Sequence, residues 1–492
     1  MSLLPFLALA STAGLASLAL RSRPRASAAI GVVGLLVGLV AAAAIRVDAP
    51  VALDPPGAAT ATLLAGTSFA RLFLVLGCVT GLLLILVAAG TSWSPVLPGA
   101  TLLALGGSAL ALGSSAAAPA VAAATVAGVT AVLVALPSMA TDRGLVAGAH
   151  ALRSLVVAGA VALVAVAGVA GPIVASETDP AIVGLAYVAV VGAVAIRFGA
   201  IPFHLSPVRL AGAAPLSALP LVMAWAPATF ALVALGWADD AVAPLGLALD
   251  AERGLVILIA IATIVLGAAA AVLHDELEQV VAYSILTDGG FVLLGLAAVD
   301  PAAWQPTRVW LLALVVTRTA FAGWALAARS IFGAHRVSEL GGWARRAPLL
   351  ALALVAIGIA AVGAPGTAVF VARRSLIELA LSGPVAVVAI VAPLASLTWV
   401  LRLLVAGLRQ PAPELASASD LRPRWPAGKQ RMIRRDPRAE IGAALDANRG
   451  PIAAAGVLAL AALAVAVAGG GLGVRDAAAG LPPAADVLAG DR

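Results

Sequence analysis

A chain of 492 residues that is 62% hydrophobic, charged at only 11% of its positions and has a mean hydropathy of +1.08 does not fit a soluble globular class. Its repeated apolar runs of about 20 residues indicate an all-α polytopic membrane protein. The net charge of +6 is carried almost wholly by arginine, Lys429 being the only lysine, and reads as a topology signal at helix ends rather than as a nucleic-acid surface.

A single cysteine, Cys78, allows no internal disulfide and argues against a cysteine-ligated metal or iron–sulfur site. The four histidines are scattered without metal-ligand spacing, and neither a dinucleotide fingerprint nor a phosphate-binding loop is present. No cofactor is expected. The extreme use of Ala, Gly, Val and Arg points to a biased coding background, which bears on the missing lysines.

In chain order, Leu3–Leu20 lacks a basic segment before it and is followed by Arg21, Arg23 and Arg25. That pattern fits a first span with its N-terminus outside better than a signal peptide. Further spans are expected at about 28–45, 69–90, 96–113, 119–139, 153–175, 181–200, 214–237, 255–273, 282–299, 308–332, 348–372, 384–408 and 452–471, about fourteen in all. Alternate loops are basic: Arg143 and Arg153, then Arg209, then Arg329, Arg336, Arg345 and Arg346, then the stretch from Arg409 to Arg449. The intervening loops carry Asp48 and Asp54, Glu177 and Asp179, then Asp239, Asp240, Asp250 and Glu252, with the His274–Glu278 loop as the exception. The positive-inside rule then places both termini outside a bacterial inner membrane. Residues 1–408 form the membrane core. Residues 409–450 form a basic cytoplasmic loop, with Arg438–Asn448 either a surface amphipathic helix or solvated chain. Residues 451–492 hold the last span and an Ala/Gly/Pro-rich tail.

The stretch AIRFGAIPFHLSPVRLAGAAPLSALP, Ala195–Pro220, organises the rest. A hydrophobic helix carrying Arg197 is interrupted by Pro202, His204 and Pro207. Proline removes a donor and clashes with the preceding turn, so the helix breaks. Such a break in lipid survives where it is buried in protein or lines a polar cavity. A second interruption, GAPGTAVFVARR, holds Gly363, Pro365 and Gly366 ahead of Arg373 and Arg374, about 160 residues on. Paired interrupted helices point to a transporter built from two inverted repeats of about five helices each. The alternative for each break is an ordinary helix end whose arginine reaches the interface.

Ionisable groups at membrane depth cost a few kcal/mol and default to functional candidates. Arg197, Arg318 in LALVVTRTAFAGWALAA, Arg373 and Asp288 in AYSILTDGGFVLLG are such groups. Histidine titrates near neutral pH and suits a proton path, which adds His204 and His274 as candidates, although a lone histidine is more often a satisfied structural residue.

Four stretches resemble the antiporter-like membrane subunits of respiratory complex I and of Mrp-type cation/proton antiporters. RFGAIPFHLSPVRLAGAAPLSAL is similar to that family's broken seventh helix. HDELEQVVAYSILTDGGFVLLGL, opening on His274, Asp275 and Glu276, is similar to its loop and AYS motif. SELGGWARRAP and GAPGTAVFVARRSL are similar to its L-G-G-L-x-R-x-x-P element and its broken twelfth helix. The resemblance implies a fold of about fourteen helices and a role in moving protons or a coupled cation along a buried axis. It also implies membership of an assembly with other membrane subunits, including quinone-reducing subunits in the complex I case, and no redox site of the chain's own.

Departures accompany it. Arg197 and Arg373 stand where the family has Lys in helix seven and Lys or Glu in helix twelve, and Arg318 where many members have Lys. The helix-five stretch TVAGVTAVLVALPSM has no carboxylate, the helix-eight stretch ALPLVMAWAPATFAL has no Lys or His, and the basic pair of the AYS motif is Glu278–Gln279. Lysine can release a proton when buried, whereas arginine stays charged. The resemblance therefore also admits a non-conducting scaffold, or a membrane partner in inorganic-carbon uptake.

Overall fold

The computed structural model describes residues 2–47, 51–53, 62–89, 94–135, 142–169, 177–381, 384–409 and 445–468. The Arg438–Asn448 segment lies largely outside them, as does the C-terminal tail. Sixteen helices carry the fold: α1 Leu4–Ala19, α2 Pro24–Ala43, α3 Ser68–Ala89, α4 Leu97–Gly113, α5 Ala117–Ala135, α6 Asp142–Gly168, α7 Pro180–Phe198, α8 Leu205–Ala213, α9 Ala226–Trp237, α10 Asp250–Leu273, α11 Leu277–Ala298, α12 Trp304–Phe332, α13 Pro348–Val362, α14 Ala368–Ala380, α15 Pro384–Leu408 and α16 Arg449–Val467. Among the described residues nine helical segments are long and apolar enough to cross a membrane, and five apolar helices are shorter.

Local chemistry explains the ends. α7 starts on Asp179, whose Oδ1 accepts from Ala181 N at 2.9 Å, and on Pro180, where the missing N–H costs nothing. It ends on Gly199, left-handed at φ 68°. α14 starts on Thr367, whose hydroxyl accepts from Phe370 N at 3.1 Å. The two expected interruptions share one device, a left-handed glycine followed within three residues by a proline: Gly199 then Pro202, and Gly363 (φ 62°) then Pro365. A Cβ on Gly199 would meet Pro207 Cγ at 2.5 Å, so that position needs glycine for space as well as for backbone. The Ile201–Pro202 peptide bond is cis. Thr263 Oγ1 accepts from Ile201 N at 3.1 Å, so the first break finds a polar partner on α10.

Two features are absent from the sequence reading. Val51–Leu53 and Thr62–Leu64 pair antiparallel between α2 and α3, strands too short to leave a period-2 pattern. The span through α9 is not uniform α-helix: π turns at Leu221–Trp225 and Ala238–Val242 flank it, the first ending just before Pro227, which has no N–H to give.

Burial orders the helices. α11 and α12 are enclosed around their whole circumference, and Leu221–Leu245 is nearly so, whereas α6 has most of its surface outward. Indoles bind the centre together by donating to carbonyls of other helices: Trp310 to Asp288 at 3.1 Å, Trp324 to Leu350 at 3.0 Å and Trp343 to Leu403 at 3.1 Å. The Asp288–Arg318 ion pair, which joins α11 to α12, therefore sits in the most protected part of the molecule.

Candidate functional site: two charge clusters at the helix breaks

The first cluster belongs to α7. Arg197 is buried one residue before its helix ends. Its Nη2 donates to Thr125 Oγ1 at 2.8 Å and its Nη1 to Ala124 O at 3.3 Å, both on α5. Its guanidinium lies 3.8 Å from the centroid of the Phe230 ring on α9. No carboxylate pairs with it among the described residues. Thr125, in the helix-five stretch that has no carboxylate, is thus the side-chain acceptor for Arg197. The sequence reading missed it, because a threonine in an apolar run is an unremarkable helix residue until Arg197 is placed against it.

The second cluster joins α11, α12 and α14. Arg318 Nε donates to Asp288 Oδ2 at 2.6 Å, with the side chains 0% and 5% exposed. The Arg318 guanidinium faces the Trp399 ring at 5.3 Å from its centroid. Arg373, buried on α14, feels the Asp288 charge and places Nη2 3.5 Å from the carbonyl of Gly363 in the second break. Asp288 Oδ1, both terminal nitrogens of Arg318 and Arg373 Nη1 are buried without a protein partner. Asp288 makes its side-chain bond to Arg318 across 30 positions of chain.

Two further buried contacts join neutral polar side chains. Trp225 Nε1 donates to Thr319 Oγ1 at 3.0 Å, beside Arg318, and Ser108 and Thr229 hydroxyls lie 2.8 Å apart. The helix-eight stretch without Lys or His thus contributes an indole and a threonine. The triplet Thr317–Arg318–Thr319 interrupts the apolar run from Val309 to Ala328, and that sequence signal would have flagged Thr319.

The remaining candidates fall elsewhere. His204 stands at the start of α8 with Nδ1 buried and unpartnered, outside both clusters. Pro202 and Pro365 are exposed at the breaks, and Pro207 packs on Gly199. His274, Asp275 and Glu276 form a clasp rather than part of the buried axis. The Arg402 guanidinium on α15 donates to the His274 carbonyl and to Asp275 Oδ1, the latter at 3.0 Å. Asp275 Oδ2 accepts from Ser338 Oγ at 2.5 Å. Glu276 bridges to Arg336 through backbone, and the His274 ring packs against Tyr283 at 4.6 Å. Glu278 pairs with Arg329 at 2.5 Å, so the reversed sign at that motif position is used in a new ion pair.

Residues 159–398 match the family described as NADH:quinone oxidoreductase/Mrp antiporter, TM. This stretch takes in both breaks, Asp288, Arg318 and Arg373. Over these residues the chain is similar to the membrane domain of that family. Its relatives include NADH-quinone oxidoreductase subunit N 1 of Streptomyces griseus, 32% identical over 250 residues that make up 50% of this chain and 51% of the relative. NADH-quinone oxidoreductase subunit N of Laribacter hongkongensis is 28% identical over 215 residues, 43% of each chain. The chain thus matches about half the length of these relatives. In three dimensions the likeness is nearly complete. A chain of the Mrp complex from Dietzia sp. superposes with a TM-score of 0.76 over 98% of both chains at 21% identity. A chain of respiratory complex I from Thermus thermophilus does so with a TM-score of 0.68 over 96% of this chain and 100% of that one, at 20% identity. At these identities the superpositions establish the fold: this is an integral membrane protein with the architecture of antiporter-like subunits.

Proposed function

We propose that the chain is an antiporter-like subunit of a complex I-like or Mrp-type assembly and takes part in proton or cation translocation along its buried polar axis. The observation that carries this reading is the Asp288–Arg318 ion pair, enclosed between the two most buried helices with Arg373 and the second break beside it. A hydrophobic replacement of comparable volume is often as stable as a buried ion pair, so packing alone is a weak reason for its presence.

The arginines stay charged and set the field; they do not relay protons by titrating. Asp288 is the group in the second cluster able to exchange one, through its unpaired Oδ1, and its protonation would release the hold on Arg318 and shift the field at Arg373. The partners in this reading are other membrane subunits and the lipid bilayer, with quinone-reducing subunits in a redox-driven assembly. Both termini lie outside the bacterial inner membrane, as the arginine distribution supports.

One observation favours a second reading. Arg197 is met by Thr125 and a carbonyl rather than by an acid, which leaves the first cluster without a proton-exchanging partner. The chain would then be a non-conducting scaffold that keeps the antiporter fold for its neighbours, as in an inorganic-carbon uptake system. Ion flux in proteoliposomes holding the intact assembly separates the two. On the transport reading Asp288→Asn lowers flux by about tenfold or more, with Arg197→Lys and Arg373→Lys changing its size or pH profile and assembly retained. Unchanged flux in all three variants with assembly intact would leave the scaffold reading standing.

A further inference from the structure

We propose that the cavity beside the first break is a binding site for the phosphate headgroup of an anionic phospholipid, with Arg197 and Arg153 as the phosphate-binding side chains. The proposal concerns binding and stands whether or not the chain conducts ions. The cavity has a volume of about 530 Å³ and lies between α5, α6, α7 and the start of α8. That size takes a headgroup and the first part of a chain, within the range of small-molecule sites.

Its charge has one sign. Arg153, Arg197 and His150 line it, and no aspartate or glutamate does. Arg197 is more than nine-tenths buried, and its Nε has no hydrogen-bond partner; the buried Ser206 hydroxyl, also in the wall, has none either. Ser206 belongs to the first turn of α8, a nine-residue helix whose leading N–H groups have no partner within the helix and whose dipole places positive charge there. Buried polar groups left unsatisfied in this way call for a ligand or ordered water. Two guanidiniums, a hydroxyl and a helix N-terminus together match the oxygens of a phosphate diester.

The rest of the wall selects an amphiphile over a free anion. Leu155, Met223 and Leu210 supply an apolar floor. At the rim Val157 is 52%, Phe203 42% and Leu205 55% exposed, an opening towards the surroundings lined by hydrocarbon. Basic pockets between transmembrane helices on the arginine-rich side of a membrane suit anionic headgroups, with the acyl chains left in the bilayer. Arg153 lies on the side that the loop charges assign to the cytoplasm.

The test is binding of dioctanoyl phosphatidylglycerol to the purified, detergent-solubilised protein, read by native mass spectrometry and by tryptophan fluorescence. Dioctanoyl phosphatidylcholine and inorganic phosphate are run in parallel. Phosphatidylglycerol is expected to bind at least about tenfold more tightly than either comparator. Arg153→Gln, at an exposed side chain that can be replaced without unfolding the core, is expected to weaken it by about tenfold. Arg197→Gln is expected to abolish it, with circular dichroism verifying the fold; Ser206→Ala, a smaller loss, provides a variant that does not disturb the break's charge. Equal binding of phosphatidylcholine, or phosphatidylglycerol binding indifferent to Arg153→Gln, would overturn the proposal. Inorganic phosphate binding as tightly as phosphatidylglycerol would overturn it as well, by assigning the site to a free anion.

Discussion

Arg318 has no exposed surface, yet of its guanidinium nitrogens only Nε has a protein acceptor, Asp288 Oδ2. Removing the carboxylate would leave a fully buried cation without a counter-charge. Asp288→Asn is therefore expected to destabilise the protein by about 3–5 kcal/mol, while Arg318→Met added to it recovers most of the loss. Thermal unfolding of the purified variants in one detergent checks the order. At this scale the sequence was legible in part. Arg197, Arg318 and Arg373 stand out because an ionisable side chain in an apolar run is costly wherever it points. Their partners were not legible. Asp288 lies 30 positions from Arg318, and Thr125 lies 72 from Arg197, so only tertiary packing joins them.

Both helix breaks could be read from Gly and Pro, since each acts locally on φ and on the hydrogen-bond ladder. The left-handed backbone at Gly199 and the closeness of Pro207 give an expected contrast. Gly199→Ala should lower stability by about 1–2 kcal/mol or more. Gly212→Ala, in α8 with nothing within 4 Å of its added carbon, should be neutral or stabilising by about 0.5–1 kcal/mol. Melting temperatures of the two variants check it. The His274–Glu276 loop shows where local reading falls short. Of its residues the sequence singled out His274 for proton chemistry, and the structure adds contacts that tie α10, the loop after α12 and α15 together through Arg402 and Ser338. Arg402→Ala should accordingly cost about 1.5–3 kcal/mol of stability, the range for hydrogen bonds to charged groups. It should leave the two buried clusters intact, so a lowered melting temperature with retained flux is the expected pair of results. The π turns around α9 and the short strand pair left no sequence period to find, because each comprises only three to five residues.

Along the chain the two breaks, with the same glycine-then-proline device, precede and follow the enclosed pair α11 and α12. One carries an arginine before the break, the other an arginine after it. Each break thus has a buried arginine close to it, Arg197 at the first and Arg373 at the second. The hydropathy pattern and arginine bias made the membrane class and the order of helices legible, because those depend on solvent rather than on specific contacts. What they could not show is which helices end up inside: α11 and α6 are both apolar, but one is wholly enclosed and the other mostly outward.

Gentle detergent extraction from native membranes, followed by identification of what co-purifies, tests the central claim most directly. The account predicts that the chain comes out with other antiporter-like and small hydrophobic membrane subunits, joined by quinone-reducing subunits if the assembly is redox-driven. Recovery of the chain alone, or with a single soluble partner and no membrane subunit, would contradict it.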